Sequence, residues 1–249
     1  MSAPAAIRFD RHTVRFDGQL VVLTGVARKG QVGEVVARGF GQRGAAVVLI
    51  DRDGTEAQAR AAELRALGMQ ATSHQCDLTD PASLGSTADA ITIAHPGGLA
   101  ALVCLAGGFA PFGSVAESAP DAWQRLMAIN LTSAYLTTRA FLPQLRAARG
   151  SVLYFASAAV VPGGAVAQMA AYAAAKAGVV TLMHAVAAEE KANGVRANAL
   201  APTAINTGDN VAAMGASSAY VERETVAEWA TFLSSSACGP VTGQLIQLG

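Results

Sequence analysis

Short, continuous apolar runs alternate with helix-type segments along almost the whole chain of 249 residues. The runs at 20–23, 47–50, 99–105 and 152–155 lack the polar alternation of half-exposed strands, so they predict strands that are buried on both faces. Helix-type segments between such strands favour parallel pairing through crossover helices. The sequence therefore predicts one doubly wound α/β domain in which helices cover both faces of a parallel sheet of about seven strands.

Hydrophobic residues make up 52% of the chain and charged residues only 14%, whereas about a quarter is charged in an average soluble protein. Such a chain can build a large core, and we expect part of its surface to be buried against another copy. Eighteen basic residues balance eighteen acidic ones, so the chain has no net basic charge to attract nucleic acid. We expect no nucleic-acid partner.

Neither a membrane span nor a metal site is expected. Two stretches, 90–116 and 151–175, contain no Asp, Glu, Lys or Arg, but Pro-Gly-Gly sequences at 96–98 and 162–164 interrupt them. A spanning helix needs about 20 uninterrupted apolar residues. Residues 1–17 lack the apolar centre of a secretory signal, so we expect a cytoplasmic protein. The four His and three Cys residues have no metal-ligand spacing.

A glycine-rich turn follows the first predicted strand. Gly25, Gly30 and Gly33 stand between Thr24 and the next helix-type segment. Glycine lets the backbone turn sharply and approach a pyrophosphate, which the N-terminus of the helix stabilises. A strand–helix turn that merely favours glycine is the alternative, because spaced glycines are common. The position of the turn in the first βα unit favours dinucleotide binding.

Asp51 ends the second predicted strand, where a carboxylate can accept hydrogen bonds from the adenosine ribose and repel a 2′-phosphate. This residue favours NAD as the cofactor. Arg28, Lys29 and Arg52 favour the opposite choice, since a cation could hold the 2′-phosphate of NADP. NAD is the first prediction, and NADP stays an open alternative.

Tyr172 and Lys176 are four residues apart at the start of a predicted helix over 170–191, so their side chains share one helical face. An ammonium beside the phenol is expected to lower its pKa from about 10, which would suit proton transfer. A core tyrosine beside a lysine that reaches solvent is the structural alternative. Taken alone, the pair favours that alternative.

Two further polar residues have apolar neighbours. Ser157 follows the run 152–155, at the strand end where doubly wound sheets bind ligands, and its hydroxyl could hydrogen-bond a carbonyl oxygen that gains negative charge. Asn130 lies in a helix predicted over 121–146, where its amide needs partners and could order a backbone kink and a water. An ordinary turn serine and a core amide satisfied by the backbone are the alternatives.

In their order along residues 16–249, these features resemble the short-chain dehydrogenase/reductase family. The four-residue step from Tyr172 to Lys176 is the specific match. The weaker matches in register with it are the Thr24-Gly25 turn, Asp51, Asp77-Leu78-Thr79-Asp80, Ala106-Gly107, Asn130, Ser157, Pro202 with Thr207, and Val241-Thr242-Gly243-Gln244. The resemblance implies a Rossmann-type fold, an NAD(P)-dependent oxidoreductase of the ketone and alcohol branch, and a homodimer or homotetramer.

The resemblance also implies roles for single residues. Tyr172 would be the general acid/base, Lys176 would lower its pKa and bind the nicotinamide ribose, Ser157 would orient the substrate oxygen, and Asn130 would hold a water that links Lys176 to solvent. The residues implied to bind the cofactor are Gly25, Gly30, Val32, Asp51, Arg52, Asp77, Leu78, Ala106, Gly107, Tyr172, Lys176, Pro202, Ile205 and Thr207.

The chain departs from the family pattern in three ways. Its glycine-rich turn is two residues longer than usual, so either the loop bulges and still holds the phosphates or cofactor affinity is weakened. Cys104 and Leu105 replace two asparagines, which is expected to alter packing. Ser157 stands two residues farther from Tyr172 than usual, so a longer loop is expected to reshape the substrate pocket.

We expect residues 1–16 to form an added arm and residues 17–249 the catalytic domain. A short lid over about 208–224 would leave an open or small pocket. The residues expected to line it are Phe109, Phe112, Val160, Gln168, Met169 and Met214, although the two phenylalanines could equally serve packing.

The loops around the predicted pocket also bear on the substrate and on the class of protein. They contain no Arg or Lys cluster for a phosphorylated or carrier-bound substrate, which favours a small, mostly apolar ketone or alcohol. The alternative to an enzyme is a non-catalytic nucleotide-binding or sensor protein on the same scaffold, favoured by the altered turn and the short lid.

Overall fold

One parallel sheet of seven strands organises the residues that the computed structural model describes, which are 9–10, 12–110, 112–215 and 219–249. The order across the sheet is β3-β2-β1-β4-β5-β6-β7. The strands are β1 (Leu20–Thr24), β2 (Ala46–Asp51), β3 (Ala71–Gln75), β4 (Ala101–Cys104), β5 (Ser151–Phe155), β6 (Arg196–Pro202) and β7 (Leu245–Leu248). The prediction of a single doubly wound, Rossmann-type α/β domain is confirmed.

Helices follow the strands as the alternating pattern predicts. The α-helices are α1 (Val32–Gly41), α2 (Gly54–Ala66), α3 (Pro81–Ala94), α4 (Pro120–Met127), α5 (Ser133–Ala148), α6 (Ala170–Glu189), α7 (Gly208–Met214) and α8 (Arg223–Ser234). Asp53 caps α2 by accepting the N–H of Glu56, and Asp80 caps α3 by accepting the N–H of Ala82. These carboxylates satisfy N–H groups that have no partner within the first helical turn.

Each face of the sheet has its own hydrophobic core. Val21 and Leu23 of β1 pack in one core with Phe40 of α1, whereas Val22 packs in the other with Phe141 of α5. All five side chains are fully buried. A strand between two helical layers has no solvent-facing side, which explains why its sequence is apolar throughout.

The long helix predicted over 121–146 is divided in the structure. A π-helical turn, Ala128–Thr132, stands between α4 and α5. Within this turn the buried Asn130 donates its Nδ2 hydrogen to the carbonyl of Leu126 at 3.0 Å. Apolar periodicity cannot reveal a single residue added to one helical turn, so the sequence predicted one helix over 121–146, with a kink at Asn130 as one interpretation.

The described part of the predicted N-terminal arm packs against the domain. Val14 and Phe16 are buried in the core on the α1 side of the sheet. Phe9 stacks on Phe232 of α8 with a centroid distance of 4.2 Å, and its N–H donates to the carboxylate of Glu228. The segment therefore covers the helices on this side of the sheet.

Glu228 also forms a buried ion pair with Arg43, whose side chain is 1% exposed. The Arg43 guanidinium donates to the carboxylate at 2.8 Å and to the carbonyl of Gly39 at 3.0 Å. A buried charge needs such a partner, because its desolvation is costly. The pair connects the end of α1 with α8.

Among the described residues, α6 is a helix long and apolar enough to cross a membrane by length and composition. In its most apolar window 44% of the residues are buried inside the protein. The helix packs on β5 and β6, which is typical of a core helix of an α/β domain.

Replacing Glu228 by Ala is expected to lower the free energy of unfolding by about 3 kcal/mol, because the buried Arg43 guanidinium loses its counter-ion. Urea unfolding followed by circular dichroism measures this loss. Asp17→Ala is the control, since it breaks the exposed Arg15–Asp17 pair and should cost far less. Equal losses in the two variants would contradict the importance of the buried pair.

Candidate active site

The strand order reverses between β1 and β4, and a crevice opens above the carboxyl ends of these strands. A cavity of about 410 Å³ lies there. The predicted cofactor residues that line it are Gly25, Val32, Asp51, Arg52, Asp77, Leu78, Ala106 and Gly107. The structure therefore brings together eight residues from four separate stretches of the sequence.

The other predicted cofactor residues lie along the same edge of the sheet without lining this cavity. Gly30 is at the tip of the glycine-rich turn. Pro202 ends β6, Ile205 forms a bridge with Val221, and Thr207 caps α7 by accepting the N–H of Asn210. These residues stand where the chain leaves the sheet toward the predicted lid. Residues 216–218 of that lid lie outside the described residues.

Two glycines keep the cavity open because no side chain fits at their positions. A Cβ on Gly25 would overlap the backbone of Ala106, and Gly25 has a φ of +72°. A Cβ on Gly107, whose φ is +148°, would collide with Oδ1 of Asn130 and approach Nζ of Lys176 at 3.4 Å. A dinucleotide needs such a bare backbone surface. This shape fits the cofactor that the sequence predicts.

The lengthened glycine-rich turn is held in shape by its own neighbours. Asp51 accepts the N–H of Ala27 at 3.0 Å, and Glu34 of α1 accepts the N–H of Gly30 at 2.7 Å. Arg223 of α8 donates to the carbonyl of Gly30 at 2.8 Å. These contacts order the turn, and a cavity lies next to Gly25.

Charged side chains surround the far end of the cavity. Asp51 uses one carboxylate oxygen for Ala27 and the other for the N–H of Asp53 at 3.1 Å. Asp77 accepts both the hydroxyl and the N–H of Thr79, which lower the pKa of Asp77, and the charge of Arg52 lowers it further. This end presents two carboxylates, with Arg52 close to one of them.

Ser157, Tyr172 and Lys176 come together beside this cavity. Ser157 follows β5, and the other two residues lie in the first two turns of α6. The side chain of Ser157 is close enough to the phenol of Tyr172 to lower its pKa. Nζ of Lys176 lies 5.7 Å from the centroid of the Tyr172 ring. The four-residue step therefore places both side chains on the helical face that faces the end of β5.

Lys176 is almost fully buried, with 6% of its surface exposed. Its Nζ donates to the carbonyl of Phe155 at 2.7 Å. Burial disfavours the ammonium and lowers the pKa of Lys176 to about 8. The lysine thus carries a proton that is held weakly for its type.

The pKa of Tyr172 differs from the expectation. Burial raises it above the ordinary value of 10.0, and the nearby side chain of Ser157 opposes the rise. The lysine was expected to lower this pKa, but its ammonium is directed to the carbonyl of Phe155. The ring also packs edge-on against Phe109, with a centroid distance of 5.5 Å. Desolvation therefore dominates in this structure.

Asn130 is satisfied by the backbone. Its Oδ1 accepts the N–H of Gly108 at 3.0 Å, and its Nδ2 donates to the carbonyls of Gly108 and Leu126. The amide therefore fixes the loop after β4 to the π-helical turn, which agrees with the core-amide alternative and with the predicted kink. The water implied between Lys176 and solvent stays a prediction.

The two phenylalanines of the predicted substrate pocket have different environments. Phe112 is buried in a small core with Leu126 and Ala171, so it serves packing. Phe109 is 57% exposed and contacts Tyr172. Phe109 alone of this pair lies next to the candidate catalytic group.

Sequence reasoning missed the side chains that hold the glycine-rich turn. Glu34 stands in the first turn of α1. An acidic residue at this position is a known capping signal, which could have indicated its contact with the preceding turn. Arg223 and the Arg28–Asp209 ion pair reach the turn from about 180 to 190 residues away in the chain. No local pattern predicts contacts at such a distance.

The low pKa of Lys176 predicts a specific pH dependence of stability. Unfolding returns the lysine to its ordinary pKa of 10.5, so above about pH 8 the unfolded chain binds more protons than the folded one. The free energy of unfolding of the wild type, taken relative to Lys176→Met, should therefore rise by about 2 kcal/mol between about pH 8 and pH 10. Urea unfolding of the cofactor-free protein measures it.

Lys191→Met is the matched control because Lys191 is exposed. This variant should follow the wild type across the same pH range. A constant difference between wild type and Lys176→Met would contradict the effect of burial on Lys176.

Comparison with known proteins agrees with this geometry. A sequence profile described as short chain dehydrogenase matches residues 19–215. An "inactive 2-(S)-hydroxypropyl-CoM dehydrogenase 2" of Xanthobacter autotrophicus is 38% identical over 70% of this chain and 73% of its own length. The 2-(S)-hydroxypropyl-CoM dehydrogenase 3 of the same organism is 33% identical over 92% of this chain and 94% of its own length.

A solved structure is similar over nearly the whole fold. It is a gluconate 5-dehydrogenase from Burkholderia cenocepacia in complex with NADP and tartrate, with a TM-score of 0.87, 26% identity and 96% coverage of both chains. The residues matched by the sequence profile include strands β1–β6, the residues that line the cavity, and α6. The chain belongs to the short-chain dehydrogenase/reductase family and is an NAD(P)-dependent oxidoreductase.

Proposed function

We propose that the chain transfers a hydride between NAD and a small, mostly apolar ketone or alcohol, with Tyr172 as the general acid/base. The observation that carries this proposal is the convergence of three groups beside the cavity. The side chain of Ser157 is close enough to the phenol of Tyr172 to lower its pKa, and Nζ of the buried Lys176 lies 5.7 Å from the centroid of the same ring. Such a set can move a proton at a carbonyl oxygen.

The residues divide the work as follows. In the reducing direction Tyr172 gives its phenolic proton to the carbonyl oxygen as that oxygen gains negative charge, and the Ser157 hydroxyl donates a hydrogen bond to it. The ammonium of Lys176 is directed to the carbonyl of Phe155 but lies 5.7 Å from the centroid of the Tyr172 ring, so it adds positive charge near the phenolate that remains. A bound nicotinamide would supply or accept the hydride. In the oxidising direction the phenolate takes the proton of the alcohol.

The raised pKa of Tyr172 suits the role of acid in the absence of bound ligands. The phenol keeps its proton over the physiological range, because burial opposes the phenolate. The phenol is therefore in the protonated form that reduction requires at neutral pH.

The residues that would hold the dinucleotide follow from the cavity. Gly25 and the N-terminus of α1 would take the pyrophosphate, Asp51 the adenosine ribose, and Asp77 with Leu78 the adenine. Ala106 and Gly107 would lie along the adenosine ribose, and Ile205 with Thr207 would hold the carboxamide. Lys176 adjoins Gly107 and would reach the nicotinamide ribose.

The preference for NAD over NADP is supported by the pairing of the cations near Asp51. Arg28 is paired with Asp209 at 2.6 Å, and Lys29 lies 3.9 Å from Glu63. Arg52 acts on Asp77. Each of the cations that could hold a 2′-phosphate thus has a carboxylate nearby, and Asp51 would repel the phosphate.

Two features support a small apolar substrate. The ring of Phe109 is exposed and forms an edge contact with Tyr172, so it offers an apolar surface next to the phenol. The predicted lid is short, and α7 has seven residues. A carrier-bound substrate, as in the names of the Xanthobacter relatives, would need additional cations on the loops near this ring.

The non-catalytic alternative has one observation in its favour, the relative named inactive. The altered glycine-rich turn favours it less than expected, because the turn is ordered and leaves the cavity open. NADH binding without turnover across a broad panel of ketones and alcohols would favour this alternative.

The homodimer or homotetramer stays a prediction. Its support is the outer surface of α5 and α6, where Tyr135 is 49% exposed beside a helix rich in alanine. The cytoplasmic location also stays a prediction from the sequence.

Tyr172→Phe is expected to reduce turnover by at least about a thousandfold, because it removes the proton donor. NADH oxidation at 340 nm with small apolar ketones measures the rate, and fluorescence titration should give a dissociation constant for NADH within about twofold of the wild type. Tyr135→Phe on α5 is the matched control and should keep its activity. Turnover that survives in Tyr172→Phe would refute the proposed mechanism.

Asp51→Asn tests the cofactor preference. The wild type should bind NADH more tightly than NADPH, and the variant should reduce this preference by about tenfold because the negative charge is removed. Fluorescence titration with both nucleotides gives the two dissociation constants. Asp89→Asn, at an exposed position of α3, should keep the wild-type ratio. A wild type that prefers NADPH would contradict the choice of NAD.

A further inference from the structure

An ion pair connects the glycine-rich turn with the predicted lid. Nη2 of Arg28 donates to Oδ2 of Asp209 at 2.6 Å, although the two residues are 181 positions apart in the chain. Asp209 lies in the first turn of α7, and Thr207 is the N-cap of that helix. The guanidinium of Arg28 is therefore directed toward the lid end of the candidate site.

Arg28 also lines the candidate cofactor cavity, next to the beginning of α1. Gln31, Val32 and Gly33 line the same cavity. Within the described part of the chain, the side chain of Gln31 leaves the N-terminus of α1 uncapped. This is the part of the cavity to which the proposed function assigns the pyrophosphate, so the guanidinium stands between that subsite and the lid.

We propose that Arg28 binds the pyrophosphate of the dinucleotide and that Asp209 competes with the pyrophosphate for the guanidinium. This inference rests on the proposed function, because it concerns the same dinucleotide site. It adds a charged side chain to a subsite that otherwise consists of Gly25 and the N-terminus of α1. Arg28 is a binding residue, whereas Asp209 is a positioning residue that acts through Arg28.

The charges of the two partners explain why the arginine exchanges one for the other. Each phosphate of the pyrophosphate carries a negative charge, so the whole group is more negative than the single carboxylate of Asp209. The planar guanidinium of Arg28 suits paired hydrogen bonds to phosphate oxygens. The N-terminus of α1 attracts the same anion through its partial positive charge. The pyrophosphate is therefore the stronger partner.

The exposure of the ion pair sets the size of the effects. The side chains of Arg28 and Asp209 are 73% and 55% exposed, so water and salt screen their attraction. Such a pair changes an equilibrium constant by about fivefold at most. A hydrogen bond between charged groups contributes about tenfold or more. The carboxylate therefore weakens dinucleotide binding without preventing it.

The direction of the guanidinium also predicts that Arg28 does not distinguish NAD from NADP. Its partner Asp209 follows Thr207, which the proposed function places at the carboxamide of the nicotinamide. The adenosine ribose is assigned to Asp51, at the opposite end of the dinucleotide. Because the pyrophosphate is common to the two cofactors, changes at Arg28 should alter both affinities together.

The test measures dissociation constants of NADH and NADPH by fluorescence titration at low salt. Arg28→Ala should weaken the binding of both nucleotides by about tenfold, and Asp209→Asn should tighten both by about fivefold. The double variant should bind both as weakly as Arg28→Ala, because Asp209 acts through the arginine. Arg125→Ala, at an exposed position of α4, is the matched control and should keep both wild-type constants.

Displacement of bound NADH by smaller nucleotides locates the guanidinium along the dinucleotide. ADP-ribose contains the pyrophosphate, whereas AMP contains only the phosphate on the adenosine side. Arg28→Ala should weaken the binding of ADP-ribose by about tenfold and that of AMP by about twofold at most. Added salt should reduce the difference between the wild type and Arg28→Ala, since the guanidinium is exposed.

Three results would overturn the inference while the wild type still binds NADH. One is a loss for NADPH in Arg28→Ala that is severalfold larger than the loss for NADH, which would place the guanidinium at the 2′-phosphate. Another is an unchanged affinity of Arg28→Ala for NADH and ADP-ribose. The third is an Asp209→Asn gain that persists in the Arg28→Ala background, since the carboxylate would then act independently of the arginine. A wild type that binds no nucleotide would overturn the proposed function and this inference together.

Discussion

A buried ammonium must have a partner, and Lys176 finds one in the carbonyl of Phe155. That carbonyl is the last of β5, so the contact joins the beginning of α6 to the end of a central strand. The same joint brings Tyr172 next to Ser157 and sets Lys176 against the bare backbone of Gly107. The site is thus arranged around one desolvated ammonium. The packing that positions Lys176 also lowers its pKa.

The apolar runs were sufficient to predict the sheet, because burial on two faces is a local property of a sequence. The family was predicted from a resemblance, in which the step from Tyr172 to Lys176 is in register with several weaker matches. Three features were beyond such reasoning. The π-helical turn at Ala128–Thr132 differs from an α-helix by one residue, which leaves the hydrophobic period almost intact. The raised pKa of Tyr172 follows from its burial in the folded chain, which is a tertiary property. The partner of Arg28 lies in a distant segment, so only the folded chain reveals that this cation is occupied.

The lengthened glycine-rich turn shows how a departure from a family pattern can be absorbed. The extra residues do not fill the cavity, because Glu34 and Arg223 hold Gly30 from two sides and Asp51 holds Ala27. All of these contacts use backbone groups of the turn. The side chains at its tip can therefore form contacts with other parts of the protein. Arg28 contacts α7 in this way. The glycine-rich turn, which is expected to bind the pyrophosphate, is thereby connected to the predicted substrate lid.

The π-helical turn also constrains how this protein can change over time. The turn takes up one extra residue without rotating the helices on either side of it, so Phe141 of α5 stays in the core. Losing one residue from Ala128–Thr132 would restore an ordinary α-helical turn and leave the packing of α5 in place. The loop after β4 would bear the cost, because the amide of Asn130 would no longer hold Gly108, so a deletion here should be better tolerated by the fold than by the candidate site.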